Sequence, residues 1–188
     1  EFLLDPDGRH FYFMEMNTRI QVEHGITEMV SGVDLVREQL RIASGLPLSV
    51  TQEAVHITGH AIECRVNAED PAADFRPCPG TVEFLHFPGG PGVRVDSCLY
   101  TGCQLPPWYD SLAAKVMAHA PTRLEAIRRM RRSLEEFILE GFPTNAELSY
   151  QILYHPDFIR GCCTTAFLDE HLPELLEFRR RLEEETKV

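Results

Sequence analysis

Phe11-Tyr12-Phe13-Met14-Glu15-Met16-Asn17-Thr18-Arg19-Ile20-Gln21-Val22-Glu23-His24 is the stretch of the 188-residue sequence from which the rest is best read. In an extended chain, side chains alternate between two faces. The odd positions from residue 15 onward give Glu15, Asn17, Arg19, Gln21 and Glu23, and the even ones from residue 14 give Met14, Met16, Thr18, Ile20 and Val22. One side is mostly apolar, and the other is a row of carboxylates, amides and a guanidinium. A wet strand face would account for such a pattern. The row holds no Lys, Ser or Thr, however, the ordinary filler of a surface. Glu15 and Asn17 are oxygen donors two residues apart, as a hard cation such as Mg²⁺ prefers. Arg19 adds a rigid fork of donors suited to an oxyanion. A straight strand from Glu15 to Glu23 would span about 26 Å, so a shared site requires a bend, expected near Thr18.

Outward from this stretch, Asp5-Pro6-Asp7-Gly8 reads as a hairpin turn leading into a strand from Phe11 to Met16. Thr27 is positioned to cap a helix over 28–44 that Gly45 stops. Strands are expected over 56–67, 81–87, 93–100 and 111–120, and a turn-rich loop over 71–80. Thr122 should cap a long helix to Glu140 with Gly141 as its stop, Thr144 a further helix to Tyr154, and the tail from Thr165 should be helical. Strands mixed with helices, without a regular βαβ alternation, indicate an α+β fold.

The second constellation is Gly59-His60-Ala61-Ile62-Glu63-Cys64-Arg65-Val66-Asn67-Ala68-Glu69-Asp70. Alternation places Glu63, Arg65 and Asn67 on one face and Ile62, Cys64 and Val66 on the other. An exposed polar strand face is the plain reading of that pattern.

Composition sets outer limits. With 44% hydrophobic residues, the chain can bury a core without metal or disulfide staples. A formal net charge of −11 argues against binding a nucleic-acid backbone, while leaving room for a local arginine site. No run of apolar residues is long enough for a transmembrane helix. The opening Glu1-Phe2-Leu3-Leu4 has no basic signal-like start, so we expect a fragment of a longer protein. Cys64, Cys78, Cys98, Cys103, Cys162 and Cys163 contain no C-x-x-C pair and read as reduced thiols that behave as small buried hydrophobes.

The two constellations together carry a family resemblance. Residues 13–24 resemble the signature of the biotin carboxylases, which are ATP-grasp enzymes, and 59–70 resemble the same family's G-H-A-x-E-C-R-x-N-A-E-D stretch. Pro77–Gly80, Gly89–Arg94, Pro106–Ser111 and Glu140–Asn145 follow it too, so the resemblance covers about residues 1–170. The sequence departs from the family at Gly25, where Pro is usual, at Pro91, where an aromatic residue is common, and in a 71–75 turn one residue longer. The resemblance implies that residues 1–55 end an ATP-grasp domain and that 56–188 form the mixed, largely antiparallel C-terminal domain with a helical tail. It implies metal binding by Glu1, Glu15 and Asn17, bicarbonate binding by Arg19, Gln21 and the Val22 backbone, and catalysis by Glu23 as general base and Arg65 as stabiliser of anionic intermediates. A glutamate is a weak base at neutral pH, so position must supply most of its effect. His24 is read as structural, Glu63 and Asn67 as orienting Arg65 or supporting the fold, and Arg94, Asp110 and Lys115 as structural or interfacial.

The implied reactants are ATP with Mg²⁺ or Mn²⁺, bicarbonate, and biotin on a carrier protein. The implied partners are the biotin carboxyl carrier protein, the carboxyltransferase and a second copy in a homodimer. The implied setting is the cytoplasm, with no nucleic acid or membrane. The implied role is the first half-reaction of acetyl-CoA carboxylase in fatty acid synthesis. A pyruvate, propionyl-CoA or other acyl-CoA carboxylase, or a non-catalytic dimerisation or carrier-docking module, are the alternatives. The charged run Phe178-Arg179-Arg180-Arg181-Leu182-Glu183-Glu184-Glu185 is expected to be a solvated helix end.

Overall fold

The computed structural model describes residues 1–185, and side chains as far as residue 177. The chain forms two compact units, Glu1–Val55 and His56–Val188.

The first unit opens with the antiparallel hairpin β1 (Phe2–Leu4) and β2 (Phe11–Phe13), in the register Phe2↔Phe13 and Leu4↔Phe11. Its turn closes as expected. The Gly8 N–H donates to the Asp5 carbonyl at 2.9 Å, and Asp7 Oδ1 accepts from the Arg9 and His10 amides at 2.8 and 3.1 Å. Strand pairing stops at Phe13, earlier than the expected Met16. Residues 14–21 are irregular, with a bend at Arg19 and a turn at Val22-Glu23. The single helix expected over 28–44 is instead two, α1 (His24–Ser31) and α2 (Leu35–Ala43). Gly32 adopts φ 72°, and its N–H returns to the Glu28 carbonyl at 2.8 Å, ending α1. Asp34 then caps α2 by accepting from the Arg37 amide at 2.8 Å.

The second unit is built on an antiparallel sheet in the order β3 (His60–Asn67), β8 (Leu112–Ala120), β7 (Val93–Asp96). Ile62, Cys64 and Val66 of β3 share a face with Ala114, Val116 and Ala118 of β8, because partners run Ile62↔Ala118, Cys64↔Val116 and Val66↔Ala114. That face packs on α3 (Arg123–Glu136) through Ile127, Met130 and Leu134. Thr122 begins α3 with a capping box: its side chain accepts from the Glu125 amide while the Glu125 carboxylate accepts from the Thr122 amide. The helix stops at Glu136, short of the expected Glu140. Ile138–Glu140 leaves it as β9 to pair with β6 (Phe84–His86). Gly141 then turns the chain at φ 120°, where a Cβ would lie 1.9 Å from the Thr81 carbonyl oxygen.

A second cluster gathers Ala68, Val82, Leu99, Leu105 and Ala113. The 71–80 loop follows β4 (Glu69–Asp70) and contains its antiparallel partner β5 (Arg76–Pro77). Asp74 and Phe75 both take positive φ there, at 55° and 54°, so the long turn is closed by two left-handed residues in succession. The strand starts expected at 56 and 81 shift to His60 and Phe84, and the strand begun at Val93 ends at Asp96. Three helices complete the unit: α4 (Ala146–Ile152), α5 (Pro156–Arg160) and α6 (Phe167–Glu185). Thr144 is not the cap of α4, since Asn145 holds that position. The solvation expected of 178–185 concerns side chains outside the described residues. No helix of the described residues is long and apolar enough to cross a membrane.

Candidate active site

In the first unit, leaving the sheet after Phe13 folds the polar row on itself. Met14 still donates to the Glu1 carbonyl at 2.9 Å, which keeps Glu15 beside the first strand. The Asn17 side chain bridges both carboxylates, donating from Nδ2 to Glu1 Oε1 at 2.8 Å and to Glu15 Oε1 at 2.9 Å. Its Oδ1 accepts from Arg19 Nη2 at 3.3 Å, and Arg19 Nη1 reaches the Ile20 carbonyl at 3.2 Å. Two carboxylates and an amide thus converge, with a guanidinium at their edge. A half-turn of the Asn17 amide presents a third oxygen to the carboxylates. This donor set fits a hard divalent cation.

Glu23 does not continue the row along a strand. It stands at the N-cap of α1, exposed, with its carbonyl accepting from the Ile26 amide at 3.1 Å. His24 is turned back onto the loop, where both its amide and Nδ1 contact the Gln21 carbonyl, at 3.2 and 2.9 Å. The structure thus gives His24 the supporting part the sequence suggests, and Gln21 and Val22 sit in the turn that it braces. Gly25 is buried in the first turn of α1, a position where Pro is equally tolerated because its amide has no helical partner to lose.

In the second unit, Arg65 lies on the face of β3 opposite the core. Its side chain is 47% exposed, with Nε 3.6 Å from Glu63 Oε1, and the Glu63 side chain is only 6% exposed. The plain reading of a wholly exposed polar face therefore fails at Glu63, which is enclosed next to Arg65. The pairings Arg65↔Lys115 and Asp96↔Lys115 extend a charged row across the sheet. Asp96 takes both Arg94 Nε and Nη2 at 2.8 Å, and Lys115 Nζ lies 3.4 Å from Asp96 Oδ2. Burial works to raise the Asp96 carboxyl, but the Arg94 hydrogen bond and the charges of Arg94 and Lys115 outweigh it and hold the group below the ordinary range. Asp110 accepts from the Leu112 amide at 2.8 Å, which fits its reading as structural.

Other polar clusters have structural explanations. His155, Asp157 and His171 bring donor atoms within 4.8 Å of one another. Asp157 is already bonded to Arg160 at 2.5 Å, and His155 Nδ1 accepts from the Asp157 amide at 3.2 Å, so the trio staples α5 to α6. The Arg160 hydrogen bond is the main cause of the lowered Asp157 pKa. A cavity of about 500 Å³ beside it is lined by Tyr150, Tyr154, His155 and Leu175. All six cysteines are free, and only Cys64 is buried, which pushes its thiol up to about 11. The reading of the cysteines as small buried groups therefore holds for one of them. Sequence reasoning passed over Asn145, whose side chain reaches β3. Asparagine is a common helix cap, so nothing local distinguishes it.

Comparison with known proteins assigns these features to a family. Residues 63–170 match the family model of the biotin carboxylase C-terminal domain, and residues 1–51 match that of the carbamoyl-phosphate synthase L chain ATP-binding domain. The biotin carboxylase of Nostoc sp. is 55% identical over 170 residues, covering 90% of this chain and 38% of that protein. A pyruvate carboxylase subunit from Methanothermobacter thermautotrophicus is 52% identical over 161 residues, covering 86% of this chain and 33% of its own length. Among solved structures, the biotin carboxylase domain dimer of Hydrogenobacter thermophilus 2-oxoglutarate carboxylase, in complex with MgADP, ADP and bicarbonate, superposes with a TM-score of 0.88 at 46% identity, covering 93% of this chain and 38% of that one. The chain therefore spans under two-fifths of the relatives it matches. With both family models matched in sequence and the fold shared in space, the chain belongs to the biotin carboxylase family.

Proposed function

We propose that the parent enzyme carboxylates biotin on a carrier protein with ATP and bicarbonate, and that this chain supplies part of both halves of that chemistry. The observation that carries the proposal is the convergence of Glu1 and Glu15 on Asn17, with Arg19 alongside. Glu1, Glu15 and Asn17 would hold Mg²⁺, or Mn²⁺, which supplies charge neutralisation at the phosphates of ATP. Arg19, Gln21 and the Val22 backbone would bind bicarbonate through charge-assisted and neutral hydrogen bonds. Glu23 would take the bicarbonate proton. The freed oxygen then attacks the γ-phosphorus, the bond to ADP breaks, and carboxyphosphate forms. Arg65 would stabilise the anion that develops on biotin, as a permanent, preorganised cation can. Domain roles follow the same division, with 1–55 closing an ATP-grasp domain and 56–188 forming the C-terminal domain.

The reading extends to a homodimer, a biotin carboxyl carrier protein and a carboxyltransferase as partners. The dimeric arrangement of the Hydrogenobacter domain supports the first of these. Free thiols suit a reducing compartment such as the cytoplasm. For the final acceptor we favour acetyl-CoA in fatty acid synthesis. The similarity to a pyruvate carboxylase supports a keto acid as the second reading.

The test is bicarbonate-dependent ADP release by the intact parent enzyme, with and without free biotin, in Glu23→Gln and Arg65→Ala. Loss of a general base lowers the rate about 10²–10⁴-fold. Glu23→Gln should abolish turnover in both conditions, and Arg65→Ala should abolish its stimulation by biotin. Hydrolysis indifferent to biotin and to both changes would overturn the assignment.

A further inference from the structure

The geometry points to Asn145 as a positioning residue for Arg65, acting by completing the open edge of β3. The inference rests on the role proposed above for Arg65. In the order β3-β8-β7, β3 is an edge strand, and among the described residues its outer backbone groups have no strand to pair with. Asn145 supplies the partner. Its Nδ2 donates to the Arg65 carbonyl at 3.1 Å, its Oδ1 accepts from the Asn67 amide at 2.8 Å, and its backbone N–H donates to the Asn67 carbonyl at 3.2 Å. A primary amide carries one acceptor and a donor pair, so it can imitate a residue of a neighbouring strand.

The place matters. On its other edge β3 pairs with β8, and that pairing slips between Val66 and Asn67. Such an irregularity re-aims nearby side chains and weakens the local ladder. Arg65 therefore sits one residue before a break on the inner side, and Asn145 holds the outer side across it. Asn145 also stands at the N-cap of α4, yet its side chain makes no bond to that helix. A residue type suited to capping has been turned to β3, and α4 begins with Thr144 Oγ1 accepting from the Ala146 amide at 3.4 Å instead. With Glu63 touching the guanidinium at 3.6 Å, Arg65 is fixed from its own strand and from the edge beside it.

Misplacement of a catalytic group by about 1 Å can lower a rate ~10²-fold. In the intact parent enzyme, Asn145→Ala should therefore lower the ratio of biotin-stimulated to biotin-independent ADP release by about 10–10²-fold. That ratio does not change when a variant merely yields less folded protein. Asn145→Asp keeps the acceptor for the Asn67 amide and loses the donor to the Arg65 carbonyl, so its ratio should fall between those of the unaltered enzyme and Asn145→Ala. Added to Arg65→Ala, Asn145→Ala should lower the ratio no further. A ratio unchanged in Asn145→Ala, or losses that multiply in the double variant, would overturn the inference while leaving the Arg65 assignment intact. An Arg65→Ala enzyme with full biotin stimulation would overturn both.

Discussion

Asn17 joins the metal-like cluster because one amide can satisfy two carboxylates and a guanidinium at once. Its bonds to Glu1, Glu15 and Arg19 tie together side chains up to 18 positions apart. Removing one carboxylate charge should weaken a hard cation directly, since affinity follows the number of charged oxygens. Glu15→Gln in the parent enzyme should raise the Mg²⁺ concentration for half-maximal ADP release by ~10-fold or more, the loss that even an indirect metal partner causes. The KM for bicarbonate should stay where it was, because Arg19 and Gln21 are untouched. A changed bicarbonate KM with an unchanged metal requirement would assign Glu15 to the anion instead. These residues were legible as chemistry from their types alone. Their meeting was implied by the family resemblance alone, because Glu1 lies across a hairpin and a strand period says nothing about it.

Among the elements, α3 shows how strongly a local signal can act. Thr122 and Glu125 form a reciprocal capping box, and Ile127, Met130 and Leu134 face the sheet at helical spacing. Thr122→Ala should cost about 1 kcal/mol in urea unfolding, within the usual range of roughly 0.5–2 for such a cap. An unchanged midpoint would show the cap to be dispensable. The other end of the same helix illustrates the limit. Residues 137–140 can continue a helix on propensity, but β6 offers backbone partners at Phe84–His86, and pairing with them wins. Likewise Gly32 and Asp34 divide what periodicity joined, since a left-handed glycine and a new cap act within three residues.

For the whole molecule, burial is unequal. Every buried apolar side chain among the described residues lies at or beyond Cys64, within the second unit. In the first, Phe2, Leu4, Phe11, Phe13 and Met16 are all more than half exposed. Hydrophobic stabilisation scales with the apolar area removed from water. Residues 56–188 produced alone should therefore unfold in one cooperative urea transition, and residues 1–55 alone should show none. A cooperative transition in 1–55 would mean that its hairpin and helices suffice for a core. Residue types and near neighbours were enough to point to the family and to establish the hairpin turn and the start of α3, because each is a local matter. Folding in three dimensions had to settle which bonds Glu1 and Asn17 make, that α3 yields to β9, that Glu63 is enclosed, and that Asn145 leaves its helix for β3. In each of these the outcome depends on groups the local pattern does not bring together, and backbone groups or charges take whichever partner the fold brings within hydrogen-bonding reach.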